Sequence, residues 1–226
     1  MLWLFDINET LLDLQPVDAA LERSLGRPGL RAPWFDRLIH SALVLTAVGQ
    51  YRDFGQLGGL AAEALAADLG ADWDEDDLAG LKQAMGSLQA HPDVVDGLTS
   101  LRDRGDRLVA FGNSNAATVE RQLLGSGLAE VVQGYYSAEQ AGALKPSPQA
   151  YAAALSAQHT AAEDAVMVAA HDWDIAGAMA AGLRGVFVSR DGRRPLGAAA
   201  APTHEISDLR DLAGLPLTPS RDTSGA

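Results

Sequence analysis

The stretch Leu2-Trp3-Leu4-Phe5-Asp6-Ile7-Asn8-Glu9-Thr10 decides the fold. Its first four residues are apolar with no helical period, the pattern of a strand buried on both faces of a parallel sheet. The run stops at a carboxylate, Asp6, and polar side chains follow at Asn8, Glu9 and Thr10. No strand of this kind comes next. Apolar spacing instead predicts helices over 16–25, 32–48, 57–69 and 75–88, the first opened by Pro16 and closed by Gly26. The Gly58-Gly59 pair weakens the start of the third.

From His91 onward the pattern alternates. Strands are predicted over 107–111, 131–135, 165–169 and 185–188, and helices over 94–104, 116–124, 148–157 and 174–181. Such alternation implies right-handed crossovers and a parallel sheet. The first strand is thus separated from the rest of its sheet by a helical unit. The expected fold is α/β: a Rossmann-like parallel-sheet core over 1–13 and 91–215, with an inserted all-helical cap over 14–90. The small, polar segment 216–226 reads as a flexible tail.

Composition narrows the function. Among 226 residues, 17 lysines and arginines face 30 aspartates and glutamates, a net charge of −13, so the basic footprint that nucleic acid requires is missing. There is no cysteine, hence no disulfide, thiolate metal site or cysteine nucleophile. No apolar run approaches the roughly 20 residues that span a bilayer. The first residues lack a cationic start and carry Asp6, Glu9 and Asp13. A cytoplasmic protein without membrane or nucleic-acid partners is expected. An anionic substrate would then need cations gathered locally against the overall field.

Ligands of open parallel sheets bind beyond the C-terminal strand ends. The polar residues after each predicted strand are Asp6, Asn8 and Thr10; Gly112-Asn113-Ser114-Asn115; Lys145 in the connection before Pro148; and His171, Asp172 and Asp174. Two carboxylates, an ammonium, amides and hydroxyls on one edge suit nucleophilic carboxylate chemistry. Each residue also has a plainer reading. Asp174 can cap the helix after it, Asn113 can satisfy a turn, and Arg37 can be an exposed helix charge.

The motifs together resemble the haloacid dehalogenase superfamily. Phe5-Asp6-Ile7-Asn8-Glu9-Thr10 is similar to its first motif, Lys145-Pro146-Ser147-Pro148 with Tyr151 to its third, and Val168 to Asp174 with Gly177-Ala178 to its fourth. Within it the chain looks most like the 2-haloacid dehalogenases, which act without metal on a small anionic haloacid; a homodimer is a family-level expectation. The resemblance implies that Asp6 attacks the halogen-bearing carbon and that water cleaves the resulting ester. Lys145 would keep Asp6 ionised, Asp174 would position or deprotonate the water, and Thr10 would hydrogen-bond Asp6. Asn113 would bind the substrate carboxylate and Tyr151 would order the network.

Magnesium-dependent phosphatases of the same superfamily are the alternative, and a non-catalytic relative is another. Against the phosphatases, Asn8 stands where they place an acidic proton donor, and Ala169-Ala170 stand where they carry a magnesium-ligating Gly-Asp. Against the dehalogenases, Gly112 replaces a hydroxyl, with Ser114 as its candidate substitute, and His171 replaces an asparagine. Their halide-receiving arginine aligns with Phe35. Arg37 lies two residues on, about 200° around a helix, and His40 is a further candidate on the same helix.

Overall fold

The computed structural model describes residues 1–195, 197 and 199–217. In chain order the strands are β1 (Leu2–Phe5), β2 (Leu12–Asp13), β3 (Gln89–Ala90), β4 (Arg107–Gly112), β5 (Gly134–Ser137), β6 (Ala165–Ala169), β7 (Arg184–Val188) and β8 (His204–Ile206). The helices are α1 (Gln15–Leu25), α2 (Arg31–Ala47), α3 (Phe54–Leu69), α4 (Glu75–Gly86), α5 (Val94–Asp103), α6 (Ala116–Gly125), α7 (Pro148–Ala157) and α8 (Asp172–Ala180).

Six strands form one parallel sheet in the order β5-β4-β1-β6-β7-β8. The fold is therefore α/β and Rossmann-like, as the alternation predicts. β1 lies in the middle, with Phe5 level with Ala110 of β4 and Val168 of β6. All four of its side chains are buried, each burial contributing about 2 kcal/mol. Its position explains its unbroken apolar run: a strand covered by helices on both faces has no solvent side to mark with polar residues.

The four helices α1 to α4 sit between β2 and β3, a two-residue antiparallel pair that brings Leu12 opposite Ala90 where the chain leaves and returns. α3 begins earlier than its apolar spacing predicts because Asp53 caps it, accepting from the Gln56 N–H. The strand expected at 131–135 forms slightly later, at β5, after a 3-10 turn over Leu128–Glu130. β2, β3 and β8 have no counterpart in the sequence reading; each is too short for a period of two to register. Of the expected tail 216–226, residues 218–226 lie outside the described residues. No helix among the described residues is long and apolar enough to cross a membrane.

One close approach ties the helices to the site. A Cβ on Gly177 of α8 would lie 2.5 Å from Pro146 Cβ and 2.8 Å from the Tyr151 hydroxyl. Only a bare backbone lets α8 rest against the segment that carries Lys145. Gly177→Ala is therefore expected to cost about 1–3 kcal/mol, read as a lower denaturation midpoint, with activity falling further than stability. Unchanged midpoint and activity would contradict this packing.

Candidate active site

The site grows from the end of β1. The Asp6 N–H donates to Val168 O at 3.0 Å, so the ladder reaches one residue past the strand and releases the carboxylate at the C-terminal sheet edge. The chain then turns tightly, Leu11 and Leu12 N–H both donating to Ile7 O, with Glu9 in the left-handed region at φ 60°. That turn swings Thr10 back over Asp6. Thr10 Oγ1 donates to Asp6 Oδ2 at 2.7 Å and accepts from the Ala170 N–H at 2.9 Å, pinning the loop after β1 to the end of β6.

Lys145 is fixed by Asn113, whose Oδ1 accepts from the Lys145 N–H at 2.8 Å and whose Nδ2 donates to the Lys145 carbonyl at 3.4 Å. The Lys145 ammonium then donates to Asp6 Oδ1 at 2.8 Å, Phe111 O at 2.9 Å and Asp174 Oδ2 at 2.6 Å. An ammonium has three hydrogens, and all three are used. Tyr151 completes the cluster, donating to Asp174 Oδ1 at 2.6 Å.

On the other side of Asp6, His171 Nδ1 is 3.2 Å from Oδ2, and its Nε2 is 3.1 Å from Glu9 Oε2. Glu9 in turn receives Arg193 at 2.7 and 2.9 Å and an ion pair from Arg31. The imidazole is held between the rings of Phe35 and Trp173, at 5.3 and 5.2 Å.

The electrostatics follow. Burial alone would raise the Asp6 pKa, but the Lys145 charge and the His171 contact overcome it and hold the carboxyl well below the usual range. Glu9 is likewise held down to about 2, burial being outweighed by its bonds to His171 and Arg193. Burial would depress His171, yet its two carboxylate partners push it up to about 9. Burial and the neighbouring Asp6 charge raise Asp174, against the pull of Lys145. Lys145 is raised because its two carboxylates outweigh its desolvation.

The cavity at Asp6 is narrow, about 10 Å³, and is walled by Ile7, Phe35, Ile39, Phe54 and Trp173 with Asn8, Gly112, Asn113, Ser114 and His171. A second cavity of about 540 Å³ adjoins it, sharing Phe35, Ile39, His171 and Trp173 and adding Glu9, His40, Arg193 and Arg194.

The sequence-predicted residues thus converge in part. Asp6, Thr10, Lys145, Tyr151, His171 and Asp174 form one hydrogen-bonded cluster. Asn8 and Ser114 line the cavity, the Asn8 side-chain carbonyl accepting from Gln122. The Asn113 side chain is spent on the Lys145 backbone. Gly112 carries no hydroxyl, and a Cβ there would lie 2.9 Å from Ile7 Cδ1, which would have to shift. Asp174 is fully enclosed and does not line the cavity. Arg37 is not brought to Asp6: it faces away, pairing with Asp68 at 2.6 Å. His40 is exposed and reaches only the adjoining cavity.

Glu9, Arg31 and Arg193 went unread in the sequence. Glu9 was visible beside Asn8, and extending the search for polar residues past the last long strand would have reached Arg193. Nothing local marks Arg31.

Magnesium does not fit these residues. Both Asp6 oxygens already accept from cations or a hydroxyl, and at the position of the phosphatases' second aspartate stands Ala170. Among the described residues no group of three or more histidine, aspartate and glutamate side chains could hold a metal ion.

A buried, ionised carboxylate at the central strand tip of a parallel sheet, braced by an ammonium, is the arrangement that covalent carboxylate chemistry needs. The haloacid dehalogenase-like hydrolase family model matches residues 2–182, and the chain belongs to that family. It is 29% identical to (S)-2-haloacid dehalogenase 4A of Burkholderia cepacia, covering 92% of this chain and 91% of the relative. It is 28% identical to a phosphoserine phosphatase of Thermus thermophilus, covering 93% and 97%. A crystal structure of an L-2-haloacid dehalogenase superposes with a TM-score of 0.87 at 27% identity, covering 94% of this chain and 96% of that one.

The raised His171 makes stability fall with pH. Its folded pKa of about 9 exceeds the ordinary imidazole value of 6.5, so the folded state binds the proton more tightly. The contribution, about 3 kcal/mol by linkage, is complete below pH 6.5 and lost as pH rises through 9. Denaturation midpoints measured across that window should decline in the wild type and stay level in His171→Phe. Parallel curves would remove the imidazolium from the folded state.

Proposed function

We propose that the protein hydrolyses the carbon–halogen bond of a short 2-haloacid through an ester on Asp6, with no metal ion. The observation that carries this reading is the Asp6 carboxylate itself, buried and kept ionised by Lys145. Identity alone does not choose between the dehalogenase and the phosphatase among its relatives. The chemistry of Asn8 and Ala170 does, because neither can supply the proton or the magnesium ligand that phosphoryl transfer in this superfamily uses.

In the first step an Asp6 oxygen displaces the halide in line, forming a C–O bond as the C–X bond breaks. A carboxylate is blunted by hydration, so the apolar walls Phe35, Ile39, Phe54 and Trp173 favour attack by excluding water. In the second step water adds to the Asp6 carboxyl carbon and expels the 2-hydroxyacid. The water gives up one proton to solvent as it adds and the departing oxygen takes one back, while Asp174, enclosed behind Lys145, steadies the ammonium beside Asp6. The regenerated Asp6 loses its own proton to solvent, which balances the released halide.

The helical unit 14–90 acts as the cap, contributing Phe35, Ile39 and Phe54 to the cavity wall. A cavity this small requires the cap to part from the core to admit substrate. Ser114 and nearby backbone N–H groups bind the substrate carboxylate, since Asn113 is committed to Lys145. A cytoplasmic setting fits a chain without cysteine.

Wild-type protein is expected to release chloride from 2-chloropropionate in the presence of a chelator, and to leave p-nitrophenyl phosphate intact with or without magnesium. Asp6→Asn should abolish chloride release while remaining folded. Magnesium-dependent phosphate release, or a fully active Asp6→Asn, would overturn the reading.

A further inference from the structure

His171 is the one cationic side chain among the described residues that lines the Asp6 cavity. Both its nitrogens face carboxylates, Asp6 at 3.2 Å and Glu9 at 3.1 Å, so both must donate. Only the doubly protonated ring does that. Two arginines fix Glu9, and two aromatic faces fix the ring plane, a setting that favours a cation. This geometry is built rather than incidental.

The two Asp6 oxygens are not equivalent. Oδ2 accepts from Thr10 at 2.7 Å and from His171 at 3.2 Å, filling both lone-pair directions. Oδ1 accepts only from Lys145 and keeps one direction free. Oδ1 is therefore the oxygen that forms the bond to carbon, and Oδ2 becomes the carbonyl oxygen of the ester. When water adds to the carboxyl carbon, negative charge develops on Oδ2, where Thr10 already waits at 2.7 Å and His171 at 3.2 Å, a contact that the growing charge shortens.

We propose that His171, as an imidazolium clamped by Glu9, forms with Thr10 the oxyanion hole in which the Asp6 ester is hydrolysed. The proposal rests on the ester mechanism above and adds a residue for its second step. Water gives up a proton to solvent as it adds, charge collects on Oδ2, and collapse of the tetrahedral carbon expels the hydroxyacid oxygen, which takes a proton from solvent. His171 keeps both of its protons throughout.

The charges that act on the ring come from several elements. Asp6 and Glu9 touch it; Arg31 and Arg193 lie behind Glu9, and Lys145 beyond Asp6. Asp36, His40, Asp172 and Arg194 line the adjoining cavity. Once Asp6 is esterified its charge is gone and Glu9 alone holds the second proton in contact. Hydrolysis should then fail at a pH lower than the resting value of about 9, while attack by the still-ionised Asp6 continues.

The test follows a single turnover of 2-chloropropionate by chloride release and by the mass of the intact protein, across pH. In His171→Phe, which keeps the ring sandwich, chloride should still appear in a first-turnover burst. The protein should retain one carboxyethyl group, with hydrolysis slowed roughly a hundredfold. In Glu9→Gln the pH at which the ester accumulates should move down relative to wild type, which decides the matter should His171→Phe not fold. Unchanged turnover in His171→Phe, loss of the burst without an ester, or an unshifted profile in Glu9→Gln would each overturn the proposal. A wild type that neither releases chloride nor gains mass would instead overturn the ester mechanism beneath it.

Discussion

The structure depends on one ammonium group. Lys145 sits fully buried between Asp6 and Asp174, with Phe111 O as its third acceptor. Removing one partner of such a pair typically costs about 3–5 kcal/mol because the remaining charge is left uncompensated. The surrounding chain is arranged to keep the three groups together: Asn113 grips the Lys145 backbone, Tyr151 holds Asp174, Thr10 holds Asp6, and Gly177 lets the supporting helix approach. All of these contacts except the Thr10–Asp6 bond cross between segments distant in sequence. The fold is the means by which three titratable groups are brought to hydrogen-bonding distance at the tip of the central strand.

A second set of charges balances the first. The chain carries a net charge of −13, a field that repels an anionic substrate. At the site the balance is reversed: Asp6, Glu9 and Asp174 are met by Lys145, His171, Arg31 and Arg193. Phe35 takes part in this arrangement without carrying charge. It stands where the resemblance led one to expect a halide-receiving arginine, and it stacks on His171. Among the described residues, the cation lining this pocket follows β6 rather than sitting on α2.

Much of this was legible in the sequence because it follows from local rules. The apolar run Leu2 to Phe5 placed the central strand, and listing polar residues after each strand found Asp6, Lys145, His171 and Asp174. What local rules could not supply was partner choice. Arg37 sat near the aligned arginine position, but the helical rotation that separates it from Phe35 carries it to Asp68. Asn113 read as a substrate ligand, whereas its amide geometry matches the Lys145 backbone. Glu9 and Arg193 lie 184 residues apart and meet only through the sheet edge. Such long-range pairs leave no period or spacing to read.

The account's central claim is covalent: an oxygen of Asp6 becomes an oxygen of the product. A single turnover with enzyme in excess over 2-chloropropionate, run in water enriched in heavy oxygen, tests it directly. The account predicts a hydroxyacid with ordinary oxygen and heavy oxygen recovered in the peptide that contains Asp6. Heavy oxygen in the hydroxyacid, with the peptide unlabelled, would contradict it.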